Sequence, residues 1–428
     1  MVSDRSPAQT DEEYFSPVYF RGIPYCGGKG FTRGTHRLKR PEETFDVVRP
    51  YLREAGVTRI ADITGLDNVG VPTTLALRPN ATTIACSSGK GLNIEAALVS
   101  GAMEAIEIHA AEVLNLPSVH ASYKQIAANY LVPALDDLPF SLNGIFSVDW
   151  PLHWYIGWDV LTQSEIALPL VMVGMARNRS LMSSLGAFVV SSNGLGAGNS
   201  FLESVAAGLY EVIERDGVAC HHAALSRGKP MAVFSDSTLR SYPLVEQVLN
   251  LCDAAGVRVL VFDCTLDTNV PIFIAYVYDR TDGGAGVCMG YGAHLDTEIA
   301  LVRAITEALQ GRLNFIAGAR DDIFRAAFWR ARGSGSRSAI AALERLRANC
   351  PEATFRRTCA TECFEADINY LLACLKRAGL KQVIVVDITP AGCPVHVVRV
   401  VVPGLEGYMH HEYRPGRRAI NYAKEGGL

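Results

Sequence analysis

The chain has 428 residues, 49% hydrophobic and 20% charged, with a formal net charge of −4. This is a globular composition with ample material for a large core. The near-neutral balance, with only short basic clusters such as residues 33–40, excludes nucleic acid and the membrane surface as main partners. The start, MVSDRSPAQTDEEYFSP, is polar and acidic, and no apolar run approaches membrane-spanning length. Eleven cysteines stand without a C-x-x-C pair, so free thiols in a reducing cytoplasm are expected. Cys220-His221-His222 and Cys359 with Cys363 lack partners at zinc-site spacing and read as structural.

In chain order, residues 1–32 read as an extended, weakly structured arm, 33–408 as one domain and 409–428 as a tail. From Pro41, PEETFDVVRPYLREAG predicts a helix with Glu42 and Glu43 in its first turn and Gly56 as its stop. TRIADIT predicts a strand, followed by a turn at 65–68 and a second strand in TTLALRP. The unit recurs at 252–278 (CDAAG, VRVLVFDCT, LDTN, PIFIAYVY) and at 375–402 (LKRAG, LKQVIVVDIT, PAG, PVHVVRVVV). Each copy reads helix, Gly stop, strand closing on Asp-x-Thr (Asp62/Thr64, Asp263/Thr265, Asp387/Thr389), turn, Pro, strand. Residues 155–175 form a looser relative, a hairpin without the leading helix. Residues 118–151 hold helical and loop segments, with Trp150 and Trp154 read as packing residues. RARGSGSRS at 330–338 predicts a mobile surface loop. The end, YRPGRRAINYAKEGGL, has no assignable pattern.

Three times a Gly-rich turn after a hairpin opens into an apolar helix carrying polar residues at offsets of three and four, which share one face. Ser87-Ser88-Gly89-Lys90-Gly91 precedes Ser100, Glu104 and Glu107. Residues 191–198 precede Glu203, Glu211 and Glu214. Residues 283–292 precede Arg303, Glu307 and Gln310. One such helix is ordinarily the wet side of an amphipathic element; three in register, as E-x-x-E, E-x-x-E and E-x-x-Q, point to one shared site. Glycine-rich loops bring backbone N–H groups close to an anion, and buried like carboxylates need a cation between them. Mg²⁺ takes carboxylate, phosphate and water oxygens; six glutamates would suit two or more ions on a triphosphate. Arg215 and Arg303 can reach phosphate as planar forks, and Lys90 as a point charge. G-x-x-x-x-G-K-[ST], G-x-G-x-x-G, the kinase signature set and a hydrolase nucleophile elbow are all missing.

SSNGLGAGNS, ESVAAGLYEVIERD, SGAMEAIE and RAITEALQ, in order between about Arg33 and Tyr408, together resemble the YcaO family. The resemblance implies a mixed α+β fold of repeated β-hairpin plus helix units whose helices converge on one ATP/Mg²⁺ site, with 33–408 as the catalytic domain. It implies an ATP- and Mg²⁺-dependent enzyme that phosphorylates a peptide-backbone amide oxygen, after which a nucleophile adds to the carbon and phosphate leaves. Side chains of Cys, Ser or Thr would then give an azoline, external sulfide a thioamide. Matched residue by residue, the metal ligands would be Glu104, Glu107, Glu203, Glu211, Glu214 and Glu307. Nucleotide contacts would be Arg37, Thr44, Lys90, Asn193, Arg215, Arg303 and Gln310, and the catalytic set Glu211, Glu214, Arg215, Arg303 and Glu307.

The chain departs from the family pattern in three places. Ile108 stands where many members have Arg. The chain ends in EGGL, where azoline-forming members commonly end in Pro-x-Pro-x-Pro. The arm before Arg33 is too short for a fused leader-peptide-binding domain. TRIADITGLDNVGVP is similar to members that work beside a TfuA-like partner and are linked with thioamides. The expectation is therefore thioamidation of a peptide or protein substrate, with a TfuA-like partner or separate leader-peptide-binding protein and a sulfide donor. The azoline-forming cyclodehydratase and a non-catalytic nucleotide-binding scaffold are the competing readings. A homodimer is left open, since related proteins often pair.

Overall fold

The computed structural model describes residues 14–114, 116–175, 186–229, 231–281, 285–323, 334–354, 358–407 and 413–425. It opens on a ribbon of β1 (Val18–Phe20) and β2 (Ile23–Tyr25), paired antiparallel. This part of the expected arm is anchored. Val18 and Phe20 are buried, and Phe20 and Tyr25 pack on Phe201 with ring centroids 4.8 and 4.6 Å away. The remainder of the arm, 1–13, lies outside the described residues. Helix α1 (Pro41–Val48) begins on proline as expected. It stops before Pro50, which has no N–H to continue it, and a 3₁₀ turn, Tyr51–Arg53, follows.

Strands β3 (Arg59–Asp62), β4 (Thr73–Leu77) and β5 (Cys86–Lys90) form a three-stranded antiparallel sheet, followed by α2 (Ile94–Glu112). Next come β6 (Val119–Ser122), β7 (Pro151–Asp159) and β8 (Ser164–Pro169), then β9 (Leu195–Gly198) and α3 (Phe201–Leu225). After β10 (Ala232–Val233) and α4 (Pro243–Ala254) run β11 (Val257–Asp263), β12 (Ile272–Asp279), β13 (Cys288–Ala293) and α5 (Thr297–Ala317). The chain closes with α6 (Ser334–Asn349), α7 (Phe364–Arg377), β14 (Ile384–Asp387), β15 (His396–Val401) and α8 (Arg417–Glu425). Strands β10 to β13 form a four-stranded sheet in sequence order. The six-stranded sheet runs β6-β7-β14-β15-β9, with β8 also paired to β7.

Two expectations change here. SGSRS is not loop but the first turn of α6, because the following AIAALERL run is strongly helix-forming; residues 330–333 lie outside the described residues. The Gly-rich turns before the acidic helices are largely strands. Gly89 lies in β5, Gly196 in β9 and Gly292 in β13, and each is pressed against the helix that follows it. A Cβ on Gly89 would stand well under 3.0 Å from Ala97 O and Gly101 N, on Gly196 from Ser204 O and Gly208 N, and on Gly292 from Ala300 O and Ala304 N. These glycines permit close helix–strand packing rather than cradling an anion.

The repeat is physical. In all three hairpins the Asp carboxylate accepts from the Thr N–H two residues on, at 2.9, 2.8 and 3.0 Å for Asp62, Asp263 and Asp387. The Thr hydroxyl in turn accepts from the returning strand at Thr73, Ile272 and Val397. Across each sheet the register is the same: Asp62, Thr74, Gly89; Asp263, Phe273, Gly292; Asp387, Val398, Gly196. The glycine strand before α3 therefore pairs with the 375–402 hairpin, not with the 155–175 hairpin that precedes it in sequence. Helix α2 packs on β4 and β5 and reaches β9, α3 packs on β9 and β15 and reaches β12 and β13, and α5 packs on β13 and β12 and reaches β5. Three sheets and three helices thus alternate around a common centre.

Candidate functional site

The three helices start alike. Asn93, Ser200 and Asp296 cap them, each side chain accepting an N–H three residues on, from Ala96, Glu203 and Ile299. The glycine contacts make Ala97, Ser204 and Ala300 equivalent. Seven residues further along stand Glu104, Glu211 and Glu307, and ten residues further Glu107, Glu214 and Gln310. The next position holds Ile108, Arg215 and Gly311, so the arginine of the second unit is replaced by an aliphatic side chain in the first. All six acidic or amide groups face one cleft of about 840 Å³, which Arg37, Thr44, Lys90, Arg215 and Arg303 also line together with Glu203.

Each carboxylate is held. Glu104 accepts from Ser88 N at 3.3 Å and Glu107 from Ala197 N at 2.6 Å. Glu203 accepts from Leu38 N at 3.0 Å and pairs with Arg37 at 3.5 Å. Arg215 pairs with Glu214 at 3.5 Å, stands 4.0 Å from Glu211 and lies over the ring of Tyr291. Lys90 donates to Glu307 at 2.6 Å. Burial, with Glu211 nearby, pushes Glu107 up to about 8. Burial, against Arg215 and with Glu214 beside it, takes Glu211 to about 7. Burial also raises Glu104 and Glu214. At Glu307 burial acts upward, but Lys90 and Arg215 outweigh it and hold the carboxyl below its ordinary value.

Glu104, Glu107, Glu211 and Glu214 are all held above the ordinary carboxylate value, so the site favours an added cation. Glu214 Oε2 and Arg303 Nε are buried with no hydrogen-bond partner among the described residues. No three His, Cys, Asp or Glu side chains among those residues already form a metal cage; the carboxylates are spread over three walls. That spacing fits hard cations that take part of their shell from phosphate oxygens and water, and the donor set, all oxygen, fits Mg²⁺.

One expected contact fails. Asn193 is not among the residues that line the cleft: its carbonyl accepts from Arg399 and its side-chain Oδ1 is buried with no hydrogen-bond partner among the described residues. Asn199 stands in its place, donating to Thr44 at 3.0 Å and within 3.5 Å of Glu203. Both asparagines border the glycine strand, and nothing in the local pattern chooses between them. Arg320 also lines the cleft, forked onto Asp322 at 2.8 and 2.6 Å; it follows the third acidic helix with no motif around it. A buried network adjoins the far wall: Lys29 donates to Asp367 at 2.5 Å, and His36 packs edge-on to His294, which stacks on Tyr210.

An oxygen-lined, cation-edged cleft between three repeated hairpin-and-helix units is the mark of a protein that grips a polyanion through hard metal ions. The chain belongs to the YcaO family: the model described as YcaO cyclodehydratase, ATP- and Mg²⁺-binding, matches residues 88–406. An uncharacterized protein in the tfuA 3′ region of Rhizobium leguminosarum bv. trifolii is 33% identical over 403 residues, covering 90% of this chain and 92% of that protein. Among solved structures, a heterocyclase in complex with substrate and cofactor superposes with a TM-score of 0.77 at 22% identity, covering 98% of this chain; the chain spans 58% of its length. YcaO from Methanopyrus kandleri, bound with AMPPCP and Mg²⁺, gives a TM-score of 0.64 at 22% identity, covering 89% of this chain and 95% of that one. Among the described residues no helix is long and apolar enough to cross a membrane.

Proposed function

We propose that the chain uses ATP and Mg²⁺ to activate a peptide-backbone amide, and that with a TfuA-like partner and external sulfide it forms a thioamide in a ribosomally made peptide or a protein. The observation that carries this reading is the delivery of six glutamates, Lys90, Arg215 and Arg303 to one cleft. Glu104, Glu107, Glu203, Glu211, Glu214 and Glu307 would hold Mg²⁺ on the triphosphate. The metal supplies charge neutralisation as the γ-phosphoryl group moves to the amide oxygen. Arg303 and Arg215 stabilise charge on the transferring group, Lys90 and Gln310 orient it, and Arg37, Thr44 and Asn199 meet the nucleotide at the opposite wall. Hydrosulfide then forms the C–S bond and phosphate departs with the former amide oxygen.

The similarity to the protein beside tfuA supports the sulfide route. The azoline route has its own support in the cyclodehydratase description and the heterocyclase likeness. Eleven free thiols support a reducing cytoplasm, and residues 33–408 are taken as the catalytic domain. Mass spectrometry of candidate peptides incubated with the protein, Mg-ATP, sulfide and the partner tests the reading. Sulfur for oxygen raises the mass, loss of one water marks the azoline, and bound nucleotide without peptide-dependent phosphate release rejects catalysis.

A further inference from the structure

The threefold repeat exposes one position where the units disagree. One residue beyond Thr74, Phe273 and Val398 stand Leu75, Ile274 and Arg399, facing Ser88, Tyr291 and Leu195 across the sheet. All three are buried, at 3%, 1% and 2% exposure. Two are aliphatic, as a core position should be, and the third is a guanidinium. Removing a charge from water is costly unless something is gained. Among the described residues Arg399 forms no ion pair. Its Nε donates to Val173 O at 3.1 Å, Nη1 to Asn193 O at 2.5 Å and Nη2 to Ser191 O at 3.0 Å. The charges that face it are Glu211 and Glu107.

A second disagreement coincides with the first. In the first and third units the strand N–H opposite this position serves the first glutamate of the helix: Ser88 N donates to Glu104 at 3.3 Å and Tyr291 N to Glu307 at 3.4 Å. In the second unit the equivalent Leu195 N turns away and donates to Ser192 O at 2.9 Å. Glu211 is therefore denied the amide its counterparts have, in the unit where the facing core residue is cationic.

We propose that Arg399 is a positioning residue of the cleft: from behind, it supplies Glu211 with the positive counterpart that a strand amide gives Glu104 and Glu307, and by gripping the Ser191 and Asn193 carbonyls it fixes the run that leads into β9, whose Ala197 N–H holds Glu107. The proposal rests on the reading of the cleft as a metal–nucleotide site. It concerns a residue outside the lining of the cleft, so its effect is indirect.

Arg399→Leu is the decisive variant, because the other two units already fold around Leu and Ile at this place. Arg399→Lys keeps the charge but replaces three spread guanidinium donors by a single nitrogen. Calorimetric titration with Mn²⁺ and a non-hydrolysable ATP analogue, alongside circular dichroism and thermal unfolding, reads both. Arg399→Leu is expected to fold and to lose affinity by about ten- to a hundredfold, as groups behind metal ligands do, with Arg399→Lys between it and the wild type. Amide exchange at 195–198 is expected to rise in both variants while β11 and β12 stay protected. A folded Arg399→Leu protein with wild-type affinity overturns the proposal alone. If Arg399→Leu does not fold, a folded Arg399→Lys protein with unchanged affinity and exchange overturns it, and weakened affinity supports it. Failure of the wild type to bind the analogue overturns the reading of the cleft and this proposal with it.

Discussion

Glu107 and Glu211 line the same cleft from two different helices, and burial pushes them to about 8 and about 7. A rise from 4.5 to about 7 means that keeping Glu211 ionised at pH 8 costs the folded chain roughly 3 kcal/mol. In the unfolded chain both groups are ionised above pH 5, so the native state holds the extra protons. The stability they contribute is present at lower pH and is lost as pH rises through about 7 and then 8. The ligand-free protein is therefore expected to melt at progressively lower temperature from about pH 5 to 8 and to level off above, and Mg²⁺ with a non-hydrolysable ATP analogue to flatten the slope. A flat ligand-free profile in thermal unfolding would contradict these shifts. Glu211→Gln removes a proposed metal ligand and a repulsion together. Its ligand-free form is expected to be at least as stable as wild type at pH 8 while turnover is lost; wild-type activity in that variant rejects the shared site. Arg303→Ala is expected to leave the melting temperature unchanged and to slow phosphate release by about a hundredfold or more, as removal of a preorganised donor does. Unchanged phosphate release would remove Arg303 from the reaction.

At the level of the helix and its strand, the glycines decide how near the carboxylates come to one another. Gly196 and Gly292 face backbone, not flexible side chains, so neither Gly196→Ala nor Gly292→Ala can be absorbed by a rotamer change. Each is expected to destabilise by ~3 kcal/mol or more, at the upper end of overpacking, with a matching fall in midpoint on urea unfolding; a loss under ~0.5 kcal/mol would mean that the helix can shift. The sequence pattern carried the E-x-x-E spacing because a helix converts offsets of three and four into one face. It carried the Asp-x-Thr hairpins because that turn is closed by two local hydrogen bonds. It misread the glycines, since a glycine in a loop and one under a helix look alike in a single chain. The partner of β9 was equally hidden: Gly196 pairs with Val398, 202 residues later, and no local pattern encodes that distance. Asn199, Arg320 and Arg399 were missed because each is a lone polar residue whose meaning comes only from what the fold sets beside it.

The last described helix, in the segment that offered no pattern in sequence, is tied to the second acidic helix. Helix α8 lies along the second half of α3. Arg418 forks onto Asp216 at 2.9 Å and reaches Asp267 at 2.7 Å. Glu406 accepts from Gly416 N, Ala419 N and the Tyr413 hydroxyl. Asp216 is 1% exposed and directly follows Arg215, so the tail is wired to the back of the acidic helix. Deleting 426–428, which lie outside the described residues, leaves these contacts in place and is expected to keep stability near wild type with a modest loss of turnover. Ending the chain at Gly416 instead strands Asp216 as a buried charge without its cation, a loss of about 3–5 kcal/mol. Arg418→Met should reproduce most of that loss. Adding Asp216→Asn to Arg418→Met should recover part of it, because the uncompensated charge is then gone. Thermal unfolding of the four variants separates this from a generic role for the tail: if the double variant is as unstable as Arg418→Met alone, the helix acts through packing and the ion pair is incidental.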